Sequence, residues 1–184
     1  SINAENHQDA ATCDLLRLAE MVDHHPAFGI VLDTGNPLSV GQDPVETAKT
    51  LAPLIRHLHL KDYTIHFAPD GYRLVRCAAG TGAIDFLAIL NAVKGNGHKL
   101  CPGIEVAAQA TRTIPILDPG WWKLHEPLTA SEFSGALRSV WKYGRPMYEP
   151  YGSSWEHGGN SEQVLAEEWQ VTQESVDYFR RLPI

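Results

Sequence analysis

Four residues able to ligate a hard cation recur along the first 105 positions of the chain: Glu5, Asp33, His59 and Glu105. Three carboxylates and one imidazole make a mostly oxygen donor set, which suits Mn²⁺, Mg²⁺ or Co²⁺ and accommodates Zn²⁺. Each residue also has an ordinary reading when taken alone. A carboxylate after a strand is often a helix cap or a loop charge, which serves equally for Asp33 and better for Glu5 taken alone, and His59 taken alone reads first as a satisfied core histidine. Glu105 is harder to dismiss, because it sits in Pro102-Gly103-Ile104-Glu105-Val106, where an unpaired buried charge is costly. The four are separated by 28, 26 and 46 residues. The first two intervals match one strand-helix unit and the third a unit with a long loop.

Such residues meet only if the elements carrying them end at one place. Ile2 to Glu5 is a short apolar-polar segment closed by a carboxylate. Thr12 caps a helix with Leu15, Leu16, Leu18, Ala19 and Val22 at helical spacing, and His25-Pro26 ends it. Phe28 to Leu32 is a continuous apolar run, as in a strand covered on both faces, and it stops at Asp33. Asp43-Pro44-Val45-Glu46 starts the next helix with a cap, a proline at its first position and a capping-box glutamate. Leu54 to Leu60 reads as a strand with His57 and His59 on one face. Lys61 to about Ala83 is expected to be a long loop, with a small hairpin at Asp70-Gly71. A helix from about Asp85 and a strand from Cys101 to Val106 follow. Beyond Asp118 the chain is expected to loop through Trp121-Trp122, form a helix over 131–143, loop again over 144–160 and end in an amphipathic helix over 161–182. Alternating strands and helices imply an α/β fold with a parallel sheet. In a parallel barrel the C-terminal strand ends share one mouth, so Glu5, Asp33, His59 and Glu105 are expected to converge there.

Several short motifs stand in order along this stretch: Glu5-Asn6-His7, Leu32-Asp33-Thr34-Gly35-Asn36, His57-Leu58-His59-Leu60-Lys61-Asp62, Gly80-Thr81-Gly82-Ala83-Ile84-Asp85-Phe86 and Ile104-Glu105. Together they resemble the successive motifs of the sugar phosphate isomerases and epimerases, which are xylose-isomerase-like TIM barrels. The resemblance covers residues 1 to about 120. It implies one domain over 1–184: a partial (β/α)8 barrel whose strands resemble the fifth to eighth, with a helical extension from about 118. It also implies a divalent metal on Glu5, Asp33, His59 and Glu105, with Glu5 and Glu105 moving protons. The implied reaction is isomerisation or epimerisation of a keto sugar or related polyol through an enediolate. A lyase or dehydratase of the inosose or dehydroshikimate type is the alternative on the same scaffold. Because only half of the barrel's strands are recognisable, a missing N-terminal half, a homo-oligomer completing the barrel, or a non-catalytic fragment are the associated expectations.

His7, Asn36, Lys61, Asp62 and Trp121 are candidates for contacting substrate. Asn36 serves equally as a turn residue, Lys61 and Asp62 as surface charges, and Trp121 or Trp122 as core. Gly80-Thr81-Gly82 resembles a phosphate-cradling turn but fits better a tight entry into the following helix. The chain carries a formal charge of −7, which argues against nucleic acid as a partner. An abasic-site endonuclease on this fold needs further ligands after His59; His66 and Asp70 are present but no Asp-x-His pair. Three scattered cysteines and no CxxC pair suggest a reduced, cytoplasmic protein, and no apolar run reaches membrane-spanning length.

Overall fold

In the computed structural model, which describes residues 1–106, 111–125, 127–147 and 152–183, thirteen helices and strands follow one another. They are β1 (Ile2–Glu5), α1 (Thr12–Met21), β2 (Phe28–Asp33), α2 (Pro44–Leu51), β3 (Ile55–Leu60), β4 (Asp62–Ala68), β5 (Gly71–Cys77), α3 (Phe86–Val93), β6 (Gly103–Ile104), β7 (Arg112–Ile114), α4 (Ala130–Tyr143), β8 (Gly144–Arg145) and α5 (Ser161–Arg181). Short 3-10 turns lie at Asn36–Val40, Ala52–Leu54 and Trp121–Leu124.

The first sheet has the order β1-β2-β3-β6 with every pair parallel. This is the α/β arrangement of a partial barrel, left open at β1 and β6. Ile30, Leu32, Leu58 and Leu60 on its strands pack with Leu15 of α1, Leu51 of α2, and Phe86 and Ile89 of α3. Burial of such side chains is worth roughly 1.5–3 kcal/mol each. The register aligns Glu5 with Val31, Asp33 with His59, and Leu60 with Ile104. That alignment brings the four candidate ligands to one end of the sheet.

Local chemistry sets the helix bounds. Asp43 caps α2 with Oδ1, which accepts from the N–H groups of Val45 and Glu46 at 2.9 and 3.0 Å. Asp85 caps α3 by accepting from Ala88 N–H. The first helix differs from expectation. Its cap position is Ala11, whose N–H donates to the Asp14 carboxylate, and the Thr12 hydroxyl instead donates to Gln42 Oε1 at 2.9 Å. The helix also stops at Met21, before His25-Pro26, where Asp23 and His24 adopt positive φ of 50° and 48°.

The larger correction concerns 61–83. Only Lys61 separates β3 from β4, and β4 pairs with β5 over seven residue pairs from Asp62–Cys77 to Ala68–Gly71. With β7 and β8 they form a second four-stranded sheet, ordered β7-β5-β4-β8. The loop expected over 144–160 opens with β8, and its residues 148–151 lie outside the described ones. Among the described residues no helix is long and apolar enough to cross a membrane.

Candidate metal centre

Glu5 ends β1, Asp33 ends β2, His59 is the penultimate residue of β3, and Glu105 follows β6 directly. One ligating atom from each lies within 4.8 Å of every other. His59 Nδ1 stands between the two glutamates, 3.2 Å from Glu5 Oε1 and 2.9 Å from Glu105 Oε2. The His57 ring meets that of His59 edge-on, with centroids 5.3 Å apart.

Asp33 divides its carboxylate between two tasks. Oδ1 accepts from Gly35 N–H at 2.8 Å and Asn36 N–H at 3.0 Å, which shapes the turn after β2. Oδ2 is buried and forms an ion pair with Lys61 Nζ at 2.7 Å. The same Nζ lies 2.7 Å from Glu105 Oε1. Burial raises the pKa of Asp33, with the Lys61 charge opposing that shift and Glu105 adding to it. Burial also pulls Lys61 down, but Asp33, Tyr63 and its hydrogen bonds to Asp33 and Glu105 outweigh it, so the ammonium is held above its ordinary value.

A hard cation fits this donor set. Three carboxylates and one imidazole converge from the ends of β1, β2 and β3 and from the residue after β6, a donor set suited to a hard cation. Lys61 supplies a positive charge at the same place, so the cluster already balances two of its carboxylates with a cation.

The remaining candidates separate. Lys61 is 4% exposed and joins the cluster. Asn36 is 1% exposed, and its side-chain oxygen and nitrogen are buried without a hydrogen-bond partner among the described residues. His7 is exposed and lies 3.7 Å from Asp9. Trp121 packs on Trp122 and His125 against the core. Asp62 does not stand as an open substrate contact or a surface charge. It is 2% exposed, and its two oxygens accept from the backbone N–H groups of Tyr63, Gly80, Gly82 and Ile84. The Gly80-Thr81-Gly82 turn therefore does cradle an anion, and the anion is Asp62. A Cβ on Gly82 would collide with Asp62 Oδ1.

Asn6 is a site residue that the sequence motif contained but its pattern did not single out. Its Nδ2 donates to Asp33 O at 3.0 Å while its Oδ1 accepts from Asp33 N–H at 2.6 Å, so one amide stitches β1 to the Asp33 backbone. Such a reciprocal pair fixes where the main chain of Asp33 sits and leaves its side chain free to face the cluster.

Comparison with known proteins agrees with this architecture. Residues 1–117 match the model of the xylose isomerase-like TIM barrel. A 3-oxo-isoapionate decarboxylase of Pectobacterium atrosepticum is 30% identical over 103 residues, covering 54% of this chain and 36% of the relative. An uncharacterised Escherichia coli protein, YihM, is 28% identical over 99 residues, covering 54% of this chain and 28% of the relative. The chain thus spans about a third of the length of the curated relatives it matches. No solved structure matches it. With the family model covering more than half of the chain, and the parallel sheet and its strand-end residues in place, the chain belongs to the xylose isomerase-like TIM barrel family.

Proposed function

We propose that this chain carries the metal-binding half of an enzyme that forms an enediolate from a keto sugar or related polyol, as an isomerase or epimerase. The convergence of Glu5, Asp33, His59 and Glu105 within 4.8 Å carries the reading. A divalent cation held by these residues would polarise a substrate carbonyl and acidify the neighbouring C–H.

The chain's own residues supply the rest. Glu5 and Glu105 enter from β1 and from just after β6, on either side of His59, so one carboxylate can take a proton from carbon while the other returns it. Returned to the same carbon from the other side, the proton inverts it; returned to the neighbouring carbon, it isomerises the sugar. Lys61, buried between Asp33 and Glu105, places an ammonium where negative charge gathers. Asn6 and the turn made by Asp33 hold that geometry before substrate arrives.

A lyase is the second reading, favoured by the decarboxylase among the relatives. Loss of CO₂ from a 2-hydroxy-3-keto acid leaves the same kind of enediolate, formed by breaking C–C instead of C–H. The test has two parts. Mn²⁺ titration followed by electron paramagnetic resonance should show one saturable site, weakened about tenfold or more by Glu105→Gln, the loss of one charged ligand. With keto sugars in D₂O, wild type should wash deuterium into the carbon next to the carbonyl and Glu105→Gln should not. CO₂ release from a keto acid without such exchange would select the lyase reading. Absence of a saturable Mn²⁺ site would end both.

A further inference from the structure

Arg76, on β5, is a buried cation whose donors are largely unused. Its side chain is 6% exposed. Nη2 reaches Glu167 Oε1 of α5 at 3.4 Å, a long contact, while Nε and Nη1 are buried without a hydrogen-bond partner among the described residues. Glu167 is itself engaged, because its Oε2 accepts from Ser154 N–H at 2.6 Å. A guanidinium carries five N–H donors and keeps its charge throughout the physiological range. Leaving such donors buried and unmet is among the costlier arrangements in a folded chain, and a ligand that supplies the acceptors removes the cost.

Strand register shows where those donors lie. In the antiparallel β4–β5 pair Arg76 stands directly opposite Tyr63, and opposite residues share a face. Tyr63 follows Lys61 by two positions, packs its ring against Gly35, and has a phenol that feels the charges of Lys61, Asp33 and Glu105. Arg112, on the same face through its pairing with Leu74, reaches Gln8 O at 3.5 Å, three residues beyond Glu5. Arg76 and Arg112 therefore share a sheet face with Tyr63, whose ring packs beside Gly35 in the turn that follows Asp33.

We propose that Arg76 receives an anionic group of the substrate, a carboxylate or a phosphate, so that the site takes a sugar acid or a sugar phosphate in preference to a neutral sugar. This rests on the metal-centre reading for where the reacting carbon lies. Arg76 grips the far end of the substrate through Nε and Nη1, Arg112 on the same sheet face draws the anion in, and the carbonyl end is left to the ligand cluster. Carboxylate and phosphate offer the same multiple acceptors to a guanidinium.

The experiment is calorimetric titration of the metal-free protein with inorganic phosphate, with glycerate and with glycerol. Saturable binding of either anion and none of glycerol is expected; phosphate alone points to a sugar phosphate, glycerate alone to a sugar acid. Arg76→Met should weaken that binding about tenfold to a hundredfold, the worth of a charge-assisted hydrogen bond, and Arg76→Lys should restore part of it. Glu167→Gln, which removes the competing charge, should tighten it. Mn²⁺ affinity should be the same in all of these variants. Wild type without saturable anion binding, or a folded Arg76→Met that binds undiminished, overturns the proposal. If Arg76→Met does not fold, unchanged affinity in Glu167→Gln overturns it instead. Loss of the Mn²⁺ site with anion binding intact would overturn the metal-centre reading and leave Arg76 standing as an anion site.

Discussion

At the scale of single residues, the candidate centre is a problem of like charges. Glu5, Asp33 and Glu105 point at one another around His59, and Lys61 is the described group that offsets two of the three. Lys61 is 4% exposed and Asp33 0%, so this pair is far from water's screening. Removing one partner of a buried pair leaves an uncompensated charge, which costs about 3 kcal/mol or more. Lys61→Met should therefore lower the stability of the metal-free protein by roughly that amount. Added Mn²⁺ should then stabilise the variant more than it stabilises wild type, because the cation takes over the neutralising role. Thermal melts with and without Mn²⁺ measure both effects; equal metal-induced shifts in the two proteins would count against a shared cluster.

At the scale of elements, the second sheet and the loop after it depend on Asp62. Its carboxylate gathers four backbone N–H groups, from Tyr63 and from the 80–84 loop that leads into α3. Burial pushes its pKa up to about 6, with the N–H donors of Gly82, Ile84, Gly80 and Tyr63 working the other way. An unfolded aspartate titrates near pH ~4, so between about pH 4 and 6 the folded state binds more protons than the unfolded. The stability from this group is full below the unfolded value and is lost as pH rises through the folded one; two units correspond to about 3 kcal/mol. Urea unfolding at pH 4, 5, 6 and 7 should show this decline superposed on the other titrations. Asp62→Asn, which cannot ionise, should flatten it, and parallel profiles for variant and wild type would refute the assignment. The same element explains why the GxG turn looked like a ligand site: its N–H groups do face an anion, one supplied from within the chain.

At the scale of the whole molecule, one apolar cluster runs from the parallel sheet through its helices to the second sheet, joining Leu32, Leu58 and Phe86 with Ile65, Tyr72 and Ile114. The parallel sheet nonetheless ends at β1 on one side and β6 on the other. On β1, Ile2 is 78% exposed. Unpaired strand edges and exposed apolar side chains promote association. The polypeptide should therefore associate in solution, and multi-angle light scattering across a concentration series checks it. A monomer that persists at high concentration would show that the open edges are adequately guarded.

The alternation of apolar runs with amphipathic stretches was enough to read a parallel α/β sheet, since strands buried on both faces and helices with one apolar stripe leave distinct periods in the chain. The convergence of four candidate ligands was legible from their register: Glu5, Asp33, His59 and Glu105 each stand at or near the end of a stretch that reads as a parallel strand, and such ends share one side of the sheet. The 61–83 segment was not legible as two long strands. Its alternation mixes Thr64, His66, Arg73 and Arg76 with apolar residues, and a strand shielded by neighbours on both sides tolerates polar groups that look like loop chemistry. Only the tertiary structure decided that Lys61 turns into the cluster, that Asp62 turns away from it to hold the 80–84 loop, and that Arg76 lies beside Tyr63. Strand periodicity assigns a side chain to a face. Which face becomes the inside, and which charges meet there, depends on partners that arrive from distant parts of the chain.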